Sequence, residues 1–409
     1  MGANAFWLLA GRAASQLLTI LVTILIAHRM GDAVLGQYAL ITSVIFLFNG
    51  ISTLGTDVLL VREIAARRDF SYFLPALTVQ LAISALAILL IFVLTPYWPQ
   101  QAGIVTPMRI YSLSLIPLAF FTVFGAALRG REQMGAYSFL TVMFVLMQVT
   151  GILLLPGTRT GIGGLIIVLL AAQIVVAIVA AIISFARLPD LAGVWRAKKE
   201  PIGRVLRAGA AIAAFGILAT GYQRLSLYFV GSMQDAASTG WFAAALRVVE
   251  APKFVHVAVL SALLPTMSQA HASKRRAQYA RAFGLSFGGL VAFSAVFAVV
   301  VFLFAGPLTL FLFGEDFIPS VEVLEVVGWT LIPFTISQYF ATRLLAASRE
   351  KQIIASLLIA IAVLGMLCLL WIPSLGILGA AWAVVAAEVS LSVILLYFWA
   401  RGKPSARMS

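Results

Sequence analysis

Apolar positions in this chain come in long runs, apolar on every side, broken by short polar intervals. Residues 163–183 and 286–305 are nearly free of polar side chains. Each run is close to the ~20 residues that cross a bilayer as a helix. The period-2 alternation of barrel strands is absent, so the spans are helices. The pattern predicts about twelve: 5–27, 35–60, 72–94, 104–127, 135–155, 162–186, 205–230, 238–264, 282–305, 321–346, 352–372 and 376–399. Between them lie turn-forming groups: Pro96-Tyr97-Trp98-Pro99, Pro156-Gly157, Gly306-Pro307, Gly314 and Pro373 to Gly376. Tyr97, Trp98 and Trp371 sit near span ends, where amphipathic rings favour the interface.

The longest polar interval runs from Arg187 to Arg207. It holds Arg187, Arg196, Lys198, Lys199, Arg204 and Arg207 against Asp190 and Glu200. Six spans precede it and six follow. The expected organisation is a six-helix lobe at 1–187, a basic cytoplasmic hinge at 188–203, a second six-helix lobe at 204–400 and a tail at 401–409. With both termini cytoplasmic, the inside loops hold 20 of the 28 Lys/Arg: Arg62, Arg67, Arg68, Arg129, Arg131, the hinge residues, Lys274, Arg275, Arg276, Arg281, Arg349, Lys351, Arg401, Lys403 and Arg407. The outside loops hold Arg29 and Arg159, with Asp32, Asp235, Glu315, Asp316 and Glu322. The bias alternates loop by loop, as the positive-inside rule requires.

Composition agrees. Of 409 residues, 62% are hydrophobic and 11% charged, against roughly a quarter charged in soluble domains. The net charge of +13 would suggest nucleic acid in a soluble protein. Here topology accounts for it, and no nucleic-acid partner is expected. One cysteine, Cys368, and three dispersed histidines, His28, His256 and His271, offer no disulfide and no metal-ligand spacing. No phosphate-binding loop is present, and nothing calls for a cofactor. The first run contains Arg12 and lacks a basic leader, so it reads as a permanent span.

The halves repeat one another. Asp32 leads to Leu35-Gly36-Gln37-Tyr38-Ala39; Asp235 leads to Thr239-Gly240-Trp241-Phe242-Ala243. Leu128–Gln133 matches Ala346–Lys351, each opening an inside loop. Parallel repeats of six helices imply two pseudo-symmetric lobes related by an axis along the membrane normal. The fold class is therefore all-α integral membrane.

Six basic residues fall within spans: Arg12, Arg109, Arg224, Arg247, Lys253 and Arg343. Each costs ~2.5–3.5 kcal/mol at a helix centre unless it meets a partner or water. Arg109 and Arg343 lie near span ends and can snorkel. Arg12 shares a helical face with Ser15, Gln16, Thr19 and Thr23. The second span carries Thr42, Asn49, Thr53, Thr56 and Asp57; the seventh, Thr220, Gln223 and Arg224; the eighth, Arg247, Glu250 and Lys253 around Pro252. The expectation is a water-filled cationic cavity walled by the first two helices of each half. Its binding residues are Arg12, Gln16, Thr19, Asn49, Gln223, Arg224, Arg247 and Lys253, and its ligand is an anion such as phosphate or diphosphate. Asp57, Glu250 and Glu388 are the candidates for coupling to an ion. Competing structural roles are open: Arg247–Glu250–Lys253 as a packing triplet, Asp57 as a helix cap or partner of Arg62, and Glu250 as a neutralising charge.

Further residues carry a resemblance. Gly11-Arg12, Ala27-His28-Arg29-Met30-Gly31, Leu35–Ala39, Leu54-Gly55, Val61–Ala65, Gly240–Arg247 and Leu310–Gly314 resemble bacterial polysaccharide-transport proteins. These are the oligosaccharide-lipid flippases of the multidrug/oligosaccharidyl-lipid/polysaccharide exporter superfamily. The resemblance implies two six-helix lobes with alternating access. It implies a polyprenyl-diphosphate-linked oligosaccharide substrate, flipped outward across the bacterial cytoplasmic membrane for cell-surface polysaccharide synthesis. Polysaccharide assembly proteins would be further partners. Two alternatives differ in class. A cation-coupled drug antiporter needs an acidic, aromatic cavity. A membrane enzyme acting on lipid-linked sugars needs a large outer loop with convergent polar residues, and the outer loops are short.

Overall fold

The structure, a computed structural model, describes residues 2–97, 103–156, 160–195, 199–272 and 276–401. Trp98, Pro99, Gly157, Arg159, Arg196, Lys198, Lys274, Arg275, Lys403 and Arg407 lie outside the described residues. The described chain runs through α1 (Gly2–Met30), α2 (Asp32–Thr53), α3 (Thr56–Arg67), α4 (Phe73–Leu94), α5 (Val105–Ser112), α6 (Leu115–Gly130), α7 (Met134–Leu154) and α8 (Gly161–Arg187). It continues through α9 (Ile202–Met233), α10 (Ala236–Ala272), α11 (Arg276–Phe313), α12 (Ser320–Val327), α13 (Leu331–Ala346) and α14 (Glu350–Arg401). No strand occurs among the described residues.

Nine helices among the described residues are long and apolar enough to cross a membrane, or ten with the bent α9. Two further facts bring the reading to about twelve. The α10 helix has 37 residues but carries Arg247, Glu250 and Lys253. The α14 helix has 52 residues, far more than the ~20 that one crossing needs. It bends at Gly376, where φ is 59°. The fold is thus an all-α membrane protein with two six-helix lobes.

Several expected spans are broken, and one expected break is only a bend. Residues 35–60 divide at Leu54 and Gly55, both left-handed with φ 41° and 67°. Residues 104–127 divide between α5 and α6, and 321–346 at a 3-10 turn, Gly328–Thr330. Gly306-Pro307, in contrast, does not end its helix. The missing Pro307 N–H and its ring disturb the preceding turn only locally, and α11 continues past non-helical angles at Phe304 to Phe313. Pro373 to Gly376, as expected, does separate two helices within α14: Gly376 takes φ 59°, and a Cβ on Gly379 would strike the Trp371 carbonyl, so the chain turns back there.

Two compact units divide the chain. The first comprises residues 1–224 and 235–240, the second 225–234 and 241–409. In the first, Phe73 and Phe124 meet edge-on at 5.3 Å within a core that includes Leu60, Ile64, Leu128 and Leu140. The segment after α8 joins this core. Its 3-10 helix Pro189–Trp195 buries Leu191 and Val194, so this stretch is docked and not extended. Glu200 then donates its backbone N–H to Ser71 O at 3.1 Å and accepts ion pairs from Arg204 at 2.6 Å and Arg67 at 3.4 Å. In the second unit, Leu260, Met267, Phe283, Leu290 and Tyr339 form a core, with Phe287 and Tyr339 rings 4.6 Å apart.

The repeat is visible in backbone detail. In the first unit, the repeat glycines Gly36 of α2 and Gly240 of α10 face each other. A Cβ on Gly36 would strike the Ala236 carbonyl and stand 2.7 Å from Gly240 N; a Cβ on Gly240 would strike the Asp32 carbonyl and stand 3.2 Å from Gly36 N. The contact is reciprocal, as a pseudo-two-fold relation demands. The other match shifts by two residues. Gln133 N donates to Leu128 O, and Arg349 N to Leu344 O, at 2.8 and 2.9 Å. Glu132 and Ser348 take the left-handed position of this capping turn, with φ 60° and 54°. Leu128–Gln133 therefore corresponds to Leu344–Arg349, and the Arg-Glu pairs themselves are not equivalent.

Candidate functional site

In the first unit, α1, α2 and α9 carry the polar side chains. Gly11 lets α1 lie against α7: a Cβ there would stand 2.6 Å from Ser138 Cβ, and Ser138 Oγ donates to Trp7 O at 2.8 Å. One residue on, Arg12 is exposed. Gln16 and Thr19 are half-buried. Thr19 donates to Ser15 O at 2.7 Å, and Thr23 is buried and donates to Thr19 O. Only the N-terminal part of the expected α1 stripe is open.

The α2 and α9 helices approach closely because small residues meet. A Cβ on Gly50 would lie 3.7 Å from Thr220 Cγ2; one on Gly221, 3.8 Å from Leu47; one on Gly209, 2.5 Å from Leu54 O. This packing brings Arg224 over the ring of Phe46, with Cζ 5.4 Å from its centroid. Asn49 lies one turn beyond Phe46, with Oδ1 buried and no hydrogen-bond partner among the described residues. Gln223 is exposed beside Arg224. Asn49, Gln223 and Arg224 thus fall in one region of the first unit. No described contact joins Arg12 to them.

Sequence reasoning missed Phe46. Its signal was present: it sits four residues after Thr42 and three before Asn49, on the polar face of α2. A lone aromatic in a membrane helix reads as lipid-facing until a guanidinium is seen above it.

In the second unit, Arg247 pairs with Glu250 at 2.9 Å. Lys253 has no ion pair with Glu250 among the described residues; its Nζ lies 4.8 Å above the Phe334 ring. The expected triplet is therefore a pair plus a cation–π contact. Arg109 donates to Thr95 Oγ1 and Phe92 O, and Arg343 covers the Trp399 ring at 4.1 Å. Both have structural partners near span ends.

The three carboxylates differ. Asp57 faces Arg129 at 3.8 Å, whereas Arg62 pairs with Glu63, so the expected Arg62 partnership is replaced. Glu250 neutralises Arg247. Glu388 is 6% exposed and accepts from Ser337 Oγ at 2.9 Å.

His256 is not the isolated residue that its spacing suggests. It is fully buried. Its Nε2 lies 2.9 Å from Ser294 Oγ and 2.8 Å from Thr335 Oγ1, and its Nδ1 lies 3.2 Å from Pro252 O. These bonds tie α10 to α11 and α13. His256→Ala leaves a cavity and strips both hydroxyls of one partner, which costs ~2–4 kcal/mol. A clear fall in the thermal unfolding midpoint of the purified protein checks this.

Long apolar helices in two lobes, with arginines and amides inside spans, define a multi-pass membrane protein. A family model described as polysaccharide biosynthesis protein matches residues 1–271. The chain belongs to that family. No curated protein sequence matches it. Solved structures share the fold. The lipid II flippase MurJ in an inward closed conformation aligns with TM-score 0.79 and 14% identity, over 96% of this chain and 87% of that one. An inward-facing multidrug resistance MATE family transporter of the MOP superfamily aligns at 0.77 and 14%, over 96% and 95%. A MOP superfamily transporter from Pyrococcus furiosus, described as having reverse polarity of its binding pocket, aligns at 0.70 and 12%, over 98% and 94%.

Proposed function

We propose that this protein is a transporter that flips a polyprenyl-diphosphate-linked oligosaccharide from the cytoplasmic to the outer leaflet of the bacterial inner membrane. It would act by alternating access, for cell-surface polysaccharide synthesis and alongside polysaccharide assembly proteins. Both termini would be cytoplasmic, with lobes 1–187 and 204–400 joined by the basic segment 188–203. The observation that carries the reading is Arg224, held in mid-helix over Phe46, with Asn49 one turn from that ring on α2 and Gln223 exposed one residue before the arginine. A guanidinium there suits a diphosphate, which it binds through paired charge-assisted hydrogen bonds. Amides and hydroxyls suit sugar. Arg12, Gln16 and Thr19 in the first unit, and Arg247 and Lys253 in the second, would complete the anion and glycan contacts. The lipid tail would remain in the bilayer. Asp57, Glu250 and Glu388 would be the candidates for coupling to an ion; Glu388 is the buried one, accepting from Ser337 Oγ. The family match and the fold shared with a lipid II flippase support this reading.

The test is reconstitution of the purified protein in liposomes containing a polyprenyl-diphosphate oligosaccharide. Access of a lectin to the sugar is followed over time. Protein-dependent flipping is expected, and Arg12→Ala, Arg224→Ala and Arg247→Ala should each slow it at least tenfold with folding intact. Absence of flipping across several glycans, with efflux of a lipophilic cation, would replace this reading with a drug antiporter. Flipping that survives all three substitutions would keep the transport class and discard the site.

A further inference from the structure

We propose that Phe46 is the stacking platform for a sugar ring of the substrate, and that Arg224 joins this subsite to the neighbouring phosphate. The inference rests on the flippase reading above. It begins with the cost of Arg224. A guanidinium cannot face lipid in mid-span without a penalty of ~2.5–3.5 kcal/mol. That cost falls where the guanidinium meets water or a protein group, so the face of α2 over which it lies is not bare lipid-facing surface. The side chains on that face agree: Thr42, Phe46, Asn49 and Thr53 succeed one another at four-, three- and four-residue steps.

Phe46 is 48% exposed on this face. Arg224 covers part of the ring, at 5.4 Å, and the half that remains open offers an apolar surface among polar neighbours. Such a surface accepts the C–H face of a pyranose, whose hydroxyls then point outward. Within one turn stands Asn49, whose Oδ1 is buried with no hydrogen-bond partner among the described residues; rotation of its amide toward the ring would offer an acceptor to a sugar hydroxyl. The exposed Gln223 amide, next to Arg224, supplies both donor and acceptor. An aromatic face, two amides and a guanidinium form a set suited to a glycosyl phosphate, with the ring on Phe46 and the phosphate at Arg224. A lipid-facing phenylalanine would have neither the cation nor the amides.

The experiment compares two probes that differ only in the sugar: geranyl diphosphate and geranyl-diphosphate-linked N-acetylglucosamine, with glucose and galactose versions beside it. Binding is measured by calorimetry on the full-length protein in nanodiscs. In the native protein at least one sugar should tighten binding about tenfold over geranyl diphosphate, the range of aromatic packing plus one hydrogen bond. Phe46→Ala should erase that gain, so that sugar-bearing and bare probes bind alike; Phe46→Trp should restore it. Arg224→Gln should weaken both probes together. If no sugar adds affinity, or if Phe46→Ala weakens both probes equally, Phe46 only positions Arg224 and the platform is overturned. If geranyl diphosphate binds and Arg224→Gln changes neither probe, the anion site itself is misplaced, while a sugar gain lost in Phe46→Ala would still uphold the platform.

Discussion

Gly36→Ala and Gly240→Ala are each expected to lower stability by ~1–3 kcal/mol, the range of overpacking at a closed contact. Helix propensity pulls the other way, since Gly→Ala within a helix gains ~0.5–1 kcal/mol. The geometry decides. A Cβ on either glycine lands on a backbone carbonyl of the facing helix, Ala236 or Asp32. A carbonyl within a helix cannot swing aside as a side chain can, so α2 and α10 must separate. The double variant should be less destabilised than the sum of the two. Once the helices have moved apart for one methyl, the second enters at little cost, and contacting residues are where additivity fails. Gly288→Ala in α11 is the control, because nothing lies within 4 Å of its added Cβ. Unfolding midpoints of the four proteins in one detergent check the prediction. Single variants as stable as Gly288→Ala would show that the crossing yields without strain.

Arg224→Ala should reduce flipping by about tenfold to a hundredfold, the loss of ~1.5–3 kcal/mol of charge-assisted bonding. Arg224→Lys separates the causes. Lysine keeps the charge but loses the planar fork and much of the stacking on Phe46. An intermediate rate assigns part of the effect to bidentate geometry. A rate equal to native assigns all of it to charge. Equal loss in both variants makes the planar guanidinium essential. The unfolding midpoint of each variant separates a packing role from a binding one.

The membrane class is legible from local chemistry alone. Twelve runs of bilayer length, a basic bias on alternate loops and motifs such as Leu35–Ala39 are properties of consecutive residues. Hydropathy needs no knowledge of what packs where. The glycines of the repeat are also readable as a pattern, because Gly36 and Gly240 recur in matching surroundings. That they touch is not, since contact depends on where α2 and α10 cross.

Tertiary packing decides the rest. The true register of the second repeat, Leu128 with Leu344, follows from capping hydrogen bonds; an Arg-Glu pair alike in both halves points two residues away. Asp57 meets Arg129 and not Arg62, because a partner on another helix lies closer than one five residues along the same helix. His256 has neighbours on α11 and α13 that no spacing in the chain reveals. Phe46 changes meaning once Arg224 arrives from a helix 178 positions later. Composition and period fix which segments enter the membrane. The rotation and crossing of helices fix which of their side chains meet, and those depend on contacts between residues far apart in the chain.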